Sequence, residues 1–171
     1  MPQTRAKRGI LRLAGRKIEM IKVLFICHGN ICRSPMAEFI MKDMVKKLNN
    51  SWQFEIASAA TSREEIGNPV YPPAKRVLSR HGISSEGKRA RQITQKDYMY
   101  YDYLICMDDW NVRNCLSLFG GDYNKKIHKL LEFAGEDRDV SDPWYTGDFD
   151  KAWDDIYKGC AGLLESLKSI M

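Results

Sequence analysis

The sequence predicts an α/β fold: one domain, a three-layer sandwich with a central, mostly four-stranded parallel sheet and helices on both faces. Two observations carry this. Short apolar runs of strand length alternate along the chain with stretches of three- and four-residue apolar periodicity. The first such run, Ile21-Lys22-Val23-Leu24-Phe25-Ile26, passes through a short polar loop straight into a helix start. Strands joined by helical crossovers pair in parallel, and ligands of such sheets bind outside the carboxyl ends of the strands.

The elements follow in order. After the strand at 21–26, Ser34 reads as an N-cap with Pro35 in the first turn, and Met36, Phe39, Ile40, Met44 and Leu48 form the apolar stripe of a helix over 35–48. Residues 53–60 read as a second strand, followed by a polar loop over 61–72 that Gly67, Pro69 and Pro72 punctuate. A helix over 73–81 ends at Gly82, and Thr94 caps a short helix to about Tyr100. Tyr103–Met107 is the third strand, and Asp109 opens a helix to about Leu118. Residues 126–130 make a weaker, more polar fourth strand. From Phe149, the stripe Phe149, Trp153, Ile156, Cys160, Leu164 and Leu167 predicts a long last helix.

At 171 residues, with 44% hydrophobic and 29% charged residues, the chain has the size and composition of one globular domain. No apolar stretch approaches the ~20 residues of a membrane-spanning helix, and none resembles a secretory leader. The net charge of +5 is confined to residues 1–19, where Arg5, Lys7, Arg8, Arg12, Arg16 and Lys17 face only Glu19. From Met20 onward the charges balance, which argues against a nucleic-acid partner. Residues 1–19 are therefore expected to be a basic extension, disordered or a non-native start, ahead of a domain over 20–171. The alternative is an amphipathic targeting helix, since four arginines fall at helical spacing, but Gly9 and Gly15 oppose it. Five irregularly spaced cysteines fit reduced thiols and a cytoplasmic location better than a disulfide framework.

The chemistry concentrates in residues 27–34, Cys-His-Gly-Asn-Ile-Cys-Arg-Ser. A loop entering a helix N-terminus aims several unpaired backbone N–H groups at one point, which suits an anion of phosphate size. The same field favours a thiolate at Cys27. Arg33 adds a planar donor fork for two phosphoryl oxygens. A thiolate displacing a phosphorylated phenol also needs a proton for the leaving group. Asp142, held extended before Pro143 in Asp-Pro-Trp-Tyr, is the candidate, with Asp139 as the fallback. No His, Cys or carboxylate cluster has the spacing of a metal site.

The string Val-Leu-Phe-Ile-Cys-His-Gly-Asn-Ile-Cys-Arg-Ser-Pro-Met-Ala-Glu, with Asp142-Pro-Trp-Tyr145, resembles the low-molecular-weight protein tyrosine phosphatases. The similarity extends through Ser58–Ser62, Ile66–Pro69, Arg80–Ile83, Ala90–Thr94 and Ile105–Asp108. The resemblance implies hydrolysis of phosphotyrosine in protein substrates through a phosphocysteine, without metal or cofactor. Cys27 would be the nucleophile, Arg33 the phosphate clamp and Asp142 the general acid and then base. It implies a phosphate loop formed by His28, Gly29, Asn30, Ile31, Cys32 and Ser34. Asn30 shapes this loop, Ser34 donates to the thiolate, and Ser58 and His81 brace Asn30 from behind. Cys32 either fills space or captures an oxidised Cys27, and Cys106, Cys115 and Cys160 read as packing residues.

Glu64, Trp144 and Tyr145 fall at the substrate entrance, and a monomer without membrane insertion is expected. His28, where an apolar residue is usual, and Glu64, where an aromatic often stands, depart from the family pattern. Three rivals remain: a protein arginine phosphatase, a thiol-dependent arsenate reductase of the same fold, and a phosphotyrosine-binding module without activity. Ile31, where arginine phosphatases tend to carry Thr, favours a flat phenyl ring over a guanidinium. The Asp-Pro-Trp-Tyr loop favours ester hydrolysis.

Overall fold

The alternation of apolar residues along the first core strand dictates a sheet covered on both sides. In the computed structural model, which describes residues 10–13 and 16–171 and side chains from Ile18 onward, this strand is β3 (Ile21–Cys27). Two short strands precede it, β1 (Ile10–Leu13) and β2 (Arg16–Glu19). Ile21, Val23 and Phe25 point into one apolar cluster, and Leu24 and Ile26 into another. The first cluster is closed by α1 (Arg33–Lys47), α2 (Pro72–Arg80) and α6 (Phe149–Leu167). The second is closed by α3 (Gln95–Tyr100) and α4 (Asp109–Phe119), which bring Tyr98 and Cys115 onto the sheet. The result is the expected three-layer α/β sandwich.

The sheet has the order β4-β3-β5-β6, all parallel, with β4 at Phe54–Ala60, β5 at Tyr103–Cys106 and β6 at Ile127–Lys129. β3 lies between β4 and β5, so the chain runs from β3 out to β4 and then crosses back past β3 to β5 on its other side. The loop after β3 therefore sits at the switch point where such sheets open a crevice. A four-residue helix, α5 (Pro143–Thr146), precedes α6. The apolar stripe of α6 is buried at Trp153, Ile156, Cys160, Leu164 and Leu167, as its periodicity predicts.

Three expectations change. The first long helix starts at Arg33 with Cys32 as N-cap and no side-chain cap, so Ser34 lies inside the first turn. Its hydroxyl is turned to the loop instead. Leu48 is half-exposed because the helix has ended; Met41 and Val45 are buried in its place. The basic extension is not without structure throughout: β1 and β2 pair antiparallel, with Leu13 opposite Arg16. Glycine in a helix interior costs about 1 kcal/mol, and two within seven positions oppose the helical alternative. Arg5, Lys7, Arg8, Gly9 and Gly15 lie outside the described residues. Among the described residues no helix is long and apolar enough to cross a membrane.

Candidate active site

The carboxyl end of β3 delivers Cys27 into a pocket of about 120 Å³. Its lining comes from the loop 27–33, from Glu64 and Glu65, and from Asp142, Trp144 and Tyr145. The loop turns at Asn30, a buried residue in the left-handed region at φ 59°. Asparagine tolerates that conformation better than most residues, and here its amide is fully used. Asn30 Nδ2 donates to Ser34 Oγ at 2.8 Å and Ser58 Oγ at 2.9 Å, while its Oδ1 accepts from the Arg91 amide at 3.2 Å. The Asn30 backbone N–H donates to Cys27 Sγ at 3.3 Å, and Ser34 Oγ lies 2.9 Å from the same sulfur. Two polar groups thus converge on Sγ, the environment that a thiolate accepts. The N-terminus of α1, with no side-chain cap and no acidic residue in its first turn, leaves its amides to an anion.

Behind this loop stands a chain of polar groups that starts from the buried Ser58 and Glu38. Ser58 Oγ donates to Glu38 Oε1 at 2.6 Å, and Glu38 pairs with Lys88 at 3.2 Å and Lys42 at 2.7 Å. Lys88 Nζ also donates to the Ser58 carbonyl at 2.9 Å. Burial alone would raise the Glu38 pKa, but Lys88, Lys42 and Ser58 outweigh it and hold the carboxyl below its ordinary value. The bracing assigned to His81 is not there. His81 closes α2 and stacks on Trp153, ring centroids 3.7 Å apart, because the end of α2 faces α6 rather than the loop. Lys88, Glu38 and the Arg91 amide occupy the ground behind Asn30 and Ser58. Glu38 had a signal: it follows Ser34 by one helical turn, a charge on the buried face of an apolar helix.

Arg33 is almost wholly buried. Its Nη1 donates to Asp108 Oδ2 at 2.7 Å and to the Val140 carbonyl at 2.8 Å, while Nη2 reaches Asp142 Oδ2 at 3.4 Å. Burial would lower its pKa, but the neighbouring Cys27, Asp108 and Asp142 outweigh this and raise it. Asp108 is a further residue that sequence reasoning missed. As the N-cap of α4 it accepts the Asn111 amide on Oδ1 at 2.8 Å, leaving Oδ2 for Arg33. An acid at a strand's carboxyl end, three residues before an Asn, carried that signal.

Asp142 is extended ahead of Pro143 and caps α5, accepting the Trp144 amide on Oδ1 at 3.0 Å. Its side chain is a quarter exposed, so it borders both Arg33 and the pocket mouth. Asp139 instead binds Lys129 at 2.9 Å and the Asp109 amide. Trp144 packs on Tyr71 with ring centroids 4.9 Å apart, and Tyr145 is exposed at the rim. Ile31 is buried with Cys32 and Ala90 under Tyr71 and Phe149. Burial, with Cys27 and Asp142 nearby, pushes the Cys32 thiol up. All five cysteines are free, and Cys106 and Cys115 touch at 3.9 Å in the core. Among the described residues no cluster of His, Cys, Asp and Glu is arranged to hold a metal ion.

Residues 22–170 match the family model for low molecular weight phosphotyrosine protein phosphatases. The chain belongs to this family. Among its relatives is the low molecular weight protein-tyrosine-phosphatase YfkJ of Bacillus subtilis, 40% identical over 87% of this chain and 97% of YfkJ. The YfkJ crystal structure superposes with a TM-score of 0.86 at 39% identity, covering 88% of this chain and 96% of that one. SP-PTP of Streptococcus pyogenes, a low molecular weight protein tyrosine phosphatase, gives a TM-score of 0.78 at 41% identity, covering 86% and 93% of the two chains. The Drosophila arginine phosphatase DARP shares the fold at 28% identity, with a TM-score of 0.79 over 86% of this chain and 98% of its own.

Proposed function

We propose that the protein hydrolyses phosphotyrosine in protein substrates by two in-line displacements at Cys27. The observation that carries this is one pocket lined by a cysteine, an arginine and an aspartate, its sulfur met by the Asn30 amide and the Ser34 hydroxyl. In the first step the Cys27 thiolate attacks phosphorus and the P–O bond to the phenol breaks. Asp142, protonated, gives its proton to the departing phenolate. In the second step the Asp142 carboxylate takes a proton from water, which attacks the phosphocysteine and returns the thiolate and inorganic phosphate. Arg33 and the amides of residues 28–33 hold the equatorial oxygens, and Ser34 stabilises the departing sulfur. Positioning and charge stabilisation of this kind supply most of the rate in phosphoryl transfer.

The apolar Ile31 under Tyr71 and Phe149 suits a phenyl ring, which favours phosphotyrosine over phosphoarginine. The domain over 20–171 acts as a cytoplasmic monomer in this reading. The test is hydrolysis of p-nitrophenyl phosphate and phosphotyrosine, with phosphoarginine as competitor. Cys27→Ser should abolish turnover yet still bind phosphate, and Arg33→Ala should abolish it as well, because nucleophile and clamp act as a unit. Asp142→Asn should cost roughly 10²–10⁴ in rate, with a smaller loss for leaving groups that need no proton. Turnover above a few percent in Cys27→Ser would sink the mechanism.

A further inference from the structure

Two titratable side chains that line the pocket, His28 and Glu64, touch each other. His28 Nε2 lies 2.9 Å from Glu64 Oε2, and both line the pocket. The contact is reinforced through the backbone. The His28 carbonyl accepts from the Ser62 amide at 3.1 Å and from Ser62 Oγ at 2.9 Å, and Ser62 Oγ in turn accepts the Glu64 amide at 3.4 Å. Glu64 is thus fastened at side chain and main chain to the residue that follows Cys27. Glu65 stands beside it: a Cβ on Gly29 would meet Glu65 Cγ at 3.4 Å, so this segment lies directly against the phosphate loop.

The Glu64 side chain keeps 69% of its surface exposed, and Arg63 does not line the pocket. Arg33 is buried against Asp108 and offers the rim nothing. Glu64 and Glu65 line the same pocket as the phosphate loop, so residues flanking a phosphotyrosine seated on that loop come near their carboxylates. We propose that His28 and Glu64 form a specificity-determining pair that selects phosphotyrosine flanked by basic side chains. Glu64 supplies the charge that attracts a lysine or arginine, and His28 positions that carboxylate at the mouth. The proposal rests on the phosphotyrosine phosphatase reading above.

The experiment compares kcat/KM for three phosphotyrosine peptides that differ only in having Lys, Ala or Asp on both sides of the phosphotyrosine, with free phosphotyrosine alongside. The wild type should prefer the Lys peptide over the Asp peptide by about three- to tenfold at low ionic strength, and high salt should shrink the ratio. Glu64→Gln should bring the ratio toward one, and Glu64→Lys should invert it. His28→Leu keeps the carboxylate but frees it, so the ratio should fall, and His28→Gln, which can still donate to Glu64, should restore part of it. Equal efficiencies for the Lys and Asp peptides, with free phosphotyrosine still hydrolysed, would overturn the proposal and leave the phosphatase reading intact. Failure to hydrolyse free phosphotyrosine and all three peptides would fell both. An unchanged ratio in His28→Leu would overturn the pairing.

Discussion

Cys32 shows how far a single residue's surroundings can revise its chemistry. Its position near Cys27 suggests a partner that rescues an oxidised nucleophile, yet burial and the neighbouring Cys27 and Asp142 hold its thiol protonated. Disulfide formation with a Cys27 sulfenic acid releases water and runs through the Cys32 thiolate, so its rate follows the thiolate fraction. The thiol pKa lies above the ordinary value, so that fraction stays small at neutral pH and grows as pH rises. After brief peroxide treatment, the activity that dithiothreitol recovers should therefore increase from neutral to alkaline pH, and Cys32→Ser should lose that increase. Equal recovery in wild type and Cys32→Ser at every pH would remove Cys32 from the process. Cys27, Arg33 and Asp142 were legible as candidates because each needs only local context: a strand end, a helix start, a following proline. His81 was misplaced because no local pattern says which neighbour the end of α2 faces.

At the scale of elements, α1 does two jobs whose residues share one face. Its first turn turns Ser34 to the loop, and one turn later Glu38 enters the polar chain to Ser58 and Asn30. Glu38 has a depressed folded-state pKa, so the stability it contributes is present above its unfolded value of about 4.3 and is lost as pH falls through the folded value. Glu38→Gln should flatten the acid side of the stability profile. At neutral pH it should cost roughly 3–5 kcal/mol, because Lys88, with only 12% of its side chain exposed, is left without its carboxylate. Urea unfolding of both proteins at neutral pH and below about pH 4 measures this; parallel profiles would mean Glu38 titrates alike in both states. The core strands and the α6 stripe were readable from their apolar runs and period, and the short helix after Thr94 from its cap residue. The exact start of α1 was not, because Ser34 has the composition of a cap and its hydroxyl is claimed by Cys27 and Asn30, a contact that only the folded loop creates.

For the whole molecule, every pocket residue lies at or after β3, while β1 and β2 form a separate two-stranded sheet. Gln53 Nε2 donates to the Glu19 carbonyl at 3.3 Å, tying the end of β2 to the chain just before β4. Removing residues 1–19 takes that hydrogen bond away, worth about 1 kcal/mol, and should leave kcat and KM for p-nitrophenyl phosphate unchanged. Loss of activity at matched concentration, with the truncated protein folded by circular dichroism, would show that the extension shapes the site. The fold class was legible because alternating strands and helices admit few topologies. The chain's charge asymmetry located the extension but not its pairing, which depends on register rather than composition.

Arg33 reaches the Val140 carbonyl and the Asp142 carboxylate, partners 107 and 109 positions further along the chain. The phosphate clamp is therefore complete only after the segment before α6 has docked, although the loop that carries Arg33 is made of neighbours in sequence. Closing a loop of that length costs entropy that contacts within residues 27–34 do not incur. During refolding from denaturant, helical signal should return first and hydrolysis of p-nitrophenyl phosphate should lag behind it. A nascent or fragmentary chain would hold the signature loop without its catalytic power, so enzymatic activity reports completed folding of this protein rather than the presence of its most recognisable residues.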